Sequence, residues 1–130
     1  MTSVREMVDE AKARIENLSM EEVEAERAEG KALLIDVRDV RELWREGKIP
    51  GARHVPRGML EFWADPESEY YKDFMQPDAR VILYCAGGLR SALAADALHR
   101  LGYKDVAHLE IGFDGWKSHG GEVVDVPQKR

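Results

Sequence analysis

Six apolar residues in a row, Val81-Ile82-Leu83-Tyr84-Cys85-Ala86, run into two adjacent glycines, an arginine and then the Ala- and Leu-rich stretch Ser91–Leu101, which Gly102 closes. This unit constrains the fold more than any other feature. The run reads as a buried strand and the stretch after it as a helix with a glycine stop. The same alternation recurs on both sides. Ala32–Ile35 predicts a second buried strand ending at Asp36, and Asp39 with Glu42 forms a capping box for a helix whose inner face is Val40, Leu43 and Trp44 and which Gly47 ends. Ile49–Ala52 is a turn, Arg53–Val55 a short strand, Gly58–Ala64 a helical turn and residues 65–78 a polar connection. Asp105–Leu109 reads as a further strand and Phe113–Lys117 as a last short helix. Strand and helix alternating throughout predict an α/β fold, a three-layer sandwich with a mostly parallel central sheet and helices on both faces.

The N-terminal segment predicts an amphipathic helix over residues 1–16. Ser3 and Glu6 suit a capping box, Val4, Met7, Val8, Ala11 and Ile15 fall on one stripe, and Glu10 with Arg14 suits an i,i+4 ion pair. A second box, Ser19 with Glu22, opens a helix that Gly30 ends. The chain divides into an N-terminal extension (1–15), one domain (16–122) and a polar tail (123–130).

At 130 residues the chain is long enough for one core without staples. A net charge of −6 disfavours nonspecific binding to nucleic acid or anionic membrane. The longest apolar run falls far short of the roughly 20 residues of a membrane span, and the N-terminus lacks the apolar stretch of a signal peptide. Cys85 is the single cysteine, which excludes an intramolecular disulfide and a cysteine zinc cluster. A reducing cytoplasm is the expected compartment.

The loop Cys85-Ala86-Gly87-Gly88-Leu89-Arg90-Ser91 sits where open α/β sheets bind ligands, beyond the carboxyl end of a strand. Paired glycines let successive N–H groups turn inward, the next helix adds its positive end, and Arg90 adds a permanent cation. Each feature stabilises an anion, and the side chain at its centre is Cys85. Such a field favours the thiolate, the nucleophilic form of cysteine. A thiol that merely ended a core strand would need no anion-binding backbone.

The loop and four other pieces, in order, resemble the rhodanese (sulfurtransferase) family in its single-domain form. Leu34–Arg38 is similar to its strand-plus-Asp-x-Arg signature, and Gly47–Pro56 to its Gly-His-Ile-Pro-Gly-Ala-x-His-Ile-Pro segment. Val81–Ser91 resembles its strand and active-site loop, Leu101–Tyr103 with Val106–Leu109 the next unit, and Gly112–Trp116 its terminal Gly-x-x-x-Trp. Lys48 departs from the usual His, and Ile111 stands where a second Gly is common, which predicts a differently built turn. The resemblance implies a two-step reaction without metal, flavin or nucleotide, and hence no cofactor. Cys85 takes a sulfane sulfur from a donor such as thiosulfate and hands it from a persulfide to cyanide, a thiol or a protein acceptor. It also implies catalytic roles for Cys85 and Arg90 and substrate contacts from Ala86, Gly87, Gly88, Leu89 and Ser91.

Arg57, near Trp63 in the segment after His54-Val55-Pro56, is a candidate for a donor's sulfonate end. Asp36 and Arg38 read as structural residues near the site, and the four histidines as packing or surface residues. The partners expected are small-molecule donors and acceptors, with no nucleic acid or membrane and a monomer or weak homodimer. Competing functions are a regulatory or interaction module, a thiol redox sensor, and a cysteine phosphatase or arsenate reductase. Phosphatase loops are longer by one residue than the four between Cys85 and Arg90, and those phosphatases that share the fold carry His where Tyr84 stands.

Overall fold

The strand that the apolar run predicts is the central one of five. The computed structural model describes residues 1–129; Arg130, the last residue of the expected polar tail, lies outside the described residues. The strands are β1 (Glu16–Leu18), β2 (Ala32–Asp36), β3 (Arg53–His54), β4 (Arg80–Tyr84) and β5 (Asp105–Leu109). They lie in the order β1-β5-β4-β2-β3, and every pair is parallel. Helices α1 (Val4–Arg14), α2 (Met20–Glu29), α3 (Val40–Glu46), α4 (Leu60–Ala64), α5 (Leu89–Leu101) and α6 (Gly112–Ser118) complete the α/β fold.

Alternation along β4 divides the core. Val81, Leu83 and Cys85 join Leu60, Ala64, Ala94, Ala95 and Leu98 on the face covered by α4 and α5. Ile82 and Tyr84 join Val23, Phe113 and Trp116 on the face covered by α2 and α6. The same parity on β5 turns Val106 toward α5 and Ala107 and Leu109 to the other side. Cys85 therefore enters the loop already directed beneath the first turn of α5.

The two internal capping boxes form as expected, Ser19 with Glu22 and Asp39 with Glu42. At α1 only half a box forms, Ser3 accepting from the Glu6 N–H. The α1 stripe is half used: Val8 and Ala11 are buried with Ala92 of α5, while Val4 and Met7 are exposed. Arg14 does not pair with Glu10. It makes a two-bond pair with Asp96 of α5, at 2.8 and 2.7 Å, which outcompetes a single exposed contact along its own helix. Val40, expected on the inner face of α3, is also exposed. β1 was not expected: three residues, Glu-Asn-Leu, carry no strand pattern, and its place comes from pairing with β5.

Candidate active site

The loop after β4 owes its shape to α6. Phe113 and Asp114, in the first turn of that helix, donate their N–H groups to the carbonyls of Cys85 and Ala86 at 2.7 and 3.0 Å. Helix-start N–H groups have no partner within their own helix, so they are free to hold these carbonyls. Two glycines permit the approach. A Cβ on Gly112 would stand 2.2 Å from the carbonyl oxygen of Ala86, and one on Gly88 2.3 Å from that of Glu110. Both also have positive φ, 71° and 93°.

Gly88 is the cap residue of α5 and brings no side chain to that helix start. The sulfur of Cys85 takes the place of a capping oxygen. Gly88 and Ser91 donate their N–H groups to Sγ at 3.2 and 3.3 Å. Cys85 is 1% exposed, Ser91 and Gly88 are buried, and Gly87 and Leu89 lie at the surface. The loop thus holds the thiol at its base with amides and opens outward through its middle residues. Beside it, Leu89, Arg90 and Leu93 line a groove with Val4, Arg5, Val8 and Lys12 of α1.

Arg90 stands half-exposed on the outer wall. Its guanidinium makes two bonds to the Glu42 carboxylate, at 2.8 and 3.0 Å. Bonding to Glu42 raises Arg90 further above its ordinary range, and bonding to Arg90 lowers Glu42. Glu42 read from the sequence only as a helix cap, and it does cap, accepting from the Asp39 N–H at 3.0 Å. Its second role has no sequence signal, because it depends on α3 lying across the loop.

Asp36 and Arg38 pair beside the site, both fully buried, with Arg38 also donating to the Gly47 carbonyl at 2.7 Å. The Arg38 guanidinium lies 4.2 Å from the Phe113 ring centre, tying this pair to the helix that shapes the loop. The Arg57 guanidinium, 34% exposed, bonds to Glu61 at 2.8 Å. Lys48 bonds to the Ala52 carbonyl, and Ile111 has an ordinary φ of −77°, so the turn into α6 needs left-handed backbone only at Gly112.

His108 is buried against Ser91, with Nδ1 2.8 Å from the hydroxyl, and its Nε2 lies 2.8 Å from Asn17 Oδ1. Burial, then the charge of Lys12, lowers His108 to about 4. No local pattern places Asn17 here, since the contact arises from the β1–β5 register.

Residues 19–119 match the model of the rhodanese-like domain. An uncharacterised protein of Bacillus subtilis (strain 168), YqhL, is 36% identical over 93 residues, 72% of this chain. The chain spans 64% of that relative's length, just under two thirds. A solved structure from Rhodopseudomonas palustris CGA009, described as a protein of unknown function and possible tyrosine phosphatase, superposes with a TM-score of 0.92 at 45% identity, covering 95% of this chain and 96% of that one. The polysulfide-sulfur transferase homodimer of Wolinella succinogenes superposes with a TM-score of 0.74 at 30% identity, covering 92% and 85%.

Proposed function

The chain belongs to the rhodanese-like domain family, and from that premise we propose that it is a sulfurtransferase, with Cys85 as its sulfur carrier. One observation carries the reading: the sulfur of Cys85 occupies the capping position of an otherwise uncapped helix and receives two backbone N–H groups. Backbone donors stabilise charge on sulfur without being consumed by it.

In the first step the Cys85 thiolate attacks the outer sulfur of a donor such as thiosulfate. A sulfur–sulfur bond forms to Cys85, the bond to the sulfonate sulfur breaks, and sulfite leaves with the electron pair. In the second, cyanide, a thiol or a protein acceptor attacks the terminal sulfur and Cys85 departs as thiolate. Covalent catalysis divides one difficult transfer into two easier ones. The Gly88 and Ser91 amides, already on Sγ, steady the charge on sulfur in each step, and Arg90 faces the donor. No cofactor enters these steps, and a free thiol carrier of this kind suits a reducing cytoplasm.

Phosphatase chemistry, suggested by the description of the Rhodopseudomonas relative, fits the loop less well. Phosphate requires donors around three equatorial oxygens, whereas a loop of four residues between Cys85 and Arg90 closes around a single sulfur atom. The test is intact mass after reduced protein meets thiosulfate: a gain of one sulfur, about 32 Da, erased by cyanide or a thiol, is expected. Cys85-dependent hydrolysis of an aryl phosphate with no such gain overturns the reading.

A further inference from the structure

We propose that Asn17 and His108 are positioning residues that set, through Ser91, how readily Cys85 gives up its proton. The functional importance of this rests on the reading of Cys85 as the sulfur carrier. Four side chains form one hydrogen-bonded line from the sulfur to the edge of the sheet. Cys85 Sγ lies 3.5 Å from Ser91 Oγ, which lies 2.8 Å from His108 Nδ1, and His108 Nε2 lies 2.8 Å from Asn17 Oδ1. Cys85, Ser91 and His108 are buried, and Asn17 ends the line at the surface. Asn17 and His108 are register partners in β1 and β5.

The outer end fixes the direction of every bond. Asn17 Nδ2 donates to the carbonyls of Lys12 and Ile15, at 2.9 and 3.3 Å. Oδ1 is then the atom that faces His108, and it only accepts, so Nε2 carries the ring hydrogen. In the neutral ring Nδ1 is bare and accepts from the Ser91 hydroxyl. With its hydrogen committed to His108, Ser91 turns lone pairs toward Cys85. It accepts from the thiol and offers nothing to the thiolate. Two backbone N–H groups favour the thiolate, and this hydroxyl opposes them.

The neutral ring persists because burial and Lys12 disfavour the imidazolium. The charged groups around the line are Lys12 from α1, Arg90 with Glu42 from α3, and the Asp36–Arg38 pair at the end of β2. None is a member of it, so Asn17→Leu reverses the polarity without changing charge. The ring is then free to carry its hydrogen on Nδ1 and donate to Ser91, whose hydroxyl turns to the sulfur.

The test is the pH dependence of Cys85 alkylation by iodoacetamide, read by intact mass, with thermal unfolding of each variant measured alongside. The Asn17→Leu midpoint should fall by about one pH unit, a roughly tenfold rise in the thiolate-to-thiol ratio. His108→Leu should shift it the same way by freeing the hydroxyl. Asn17→Gln keeps a neutral amide acceptor and should leave the midpoint near the wild-type one, whereas general loosening would move both Asn17 variants together. Nitrogen NMR of the wild-type protein should place the His108 hydrogen on Nε2. An unchanged or raised midpoint in folded Asn17→Leu, or a wild-type Nδ1–H tautomer, overturns the proposal. Shifts seen without persulfide formation from thiosulfate would remove the sulfur-transfer reading and leave the relay standing. Persulfide without shifts would remove the relay alone.

Discussion

β2 and β4 run side by side, Asp36 in register with Tyr84, and the side chains at their two ends are satisfied in opposite ways. Beyond β2, the Asp36 carboxylate is closed off by Arg38, which makes 3.0 and 2.7 Å bonds to its two oxygens. Beyond β4, among the described residues, the sulfur of Cys85 is bonded to two amides and a hydroxyl and to no cationic side chain, while Arg90 bonds to Glu42. A charge satisfied by a buried side chain is part of the fold, because any ligand must first break the pair. The sulfur of Cys85 faces backbone amides, with no ion pair on it for a ligand to break first.

The widest gap between the two ends should appear in stability. Arg38→Ala leaves the Asp36 carboxylate buried and alone, at a cost of about 3–5 kcal/mol in urea unfolding. Cys85→Ser replaces a thiol by a smaller donor and acceptor and should cost under about 1 kcal/mol. Similar losses at both would erase the distinction. Activity should divide the opposite way. Cys85→Ser should lower thiosulfate-dependent sulfur transfer at least 100-fold, about 2.7 kcal/mol in barrier, because a hydroxyl is far less acidic than a thiol. Residual transfer above about one per cent would show that Cys85 is not the unique carrier.

Both strand ends were legible in the sequence because each is local. Asp36 and Arg38 are two residues apart, and Cys85, Gly88 and Ser91 lie within one strand–loop–helix unit. The parallel α/β architecture followed from the same local alternation. Long-range pairings were not legible. Arg14 has a plausible partner in Glu10 along its helix, but tertiary packing supplies Asp96. Glu42 explains itself as a cap before the fold brings Arg90 to it. His108 read as a packing or surface residue; it is buried, and its contacts with Ser91 and Asn17 need the register of β1 on β5.

His108 lies on the open side of the comparison yet should mark stability through pH. Its folded value, about 4, is below the ordinary 6.5, so the unfolded chain binds the proton more readily between those values. Stability from the neutral ring is complete above pH 6.5 and is lost as the pH falls toward 4. The wild-type protein should lose about 2–3 kcal/mol more than His108→Asn across that window, measured by urea unfolding at a series of pH values. Parallel curves would mean that the ring is protonated in the folded protein.

The smallest effect tests Arg90, the cation that the loop itself carries. Its pair with Glu42 is only part-buried, with side chains 43% and 20% exposed, so solvent screens it. Pairs of this kind contribute about 0.2–1 kcal/mol, which limits the effect to a few-fold. Glu42→Gln keeps an oxygen for the Asp39 N–H and so preserves the helix cap, but it removes the charge that balances Arg90. The uncancelled guanidinium should attract a dianionic donor, lowering the KM for thiosulfate about two- to five-fold, with kcat changing less. Arg90→Ala should raise KM, because it leaves Glu42 facing the donor. Both shifts should shrink as the ionic strength rises toward 1 M, where screening acts within about 3 Å. The buried Asp36–Arg38 pair, closed to solvent, should show no such salt dependence. A Glu42→Gln enzyme with unchanged or higher KM at low salt would mean that Arg90 does not face the donor, and that backbone amides alone hold the anion at the end of β4.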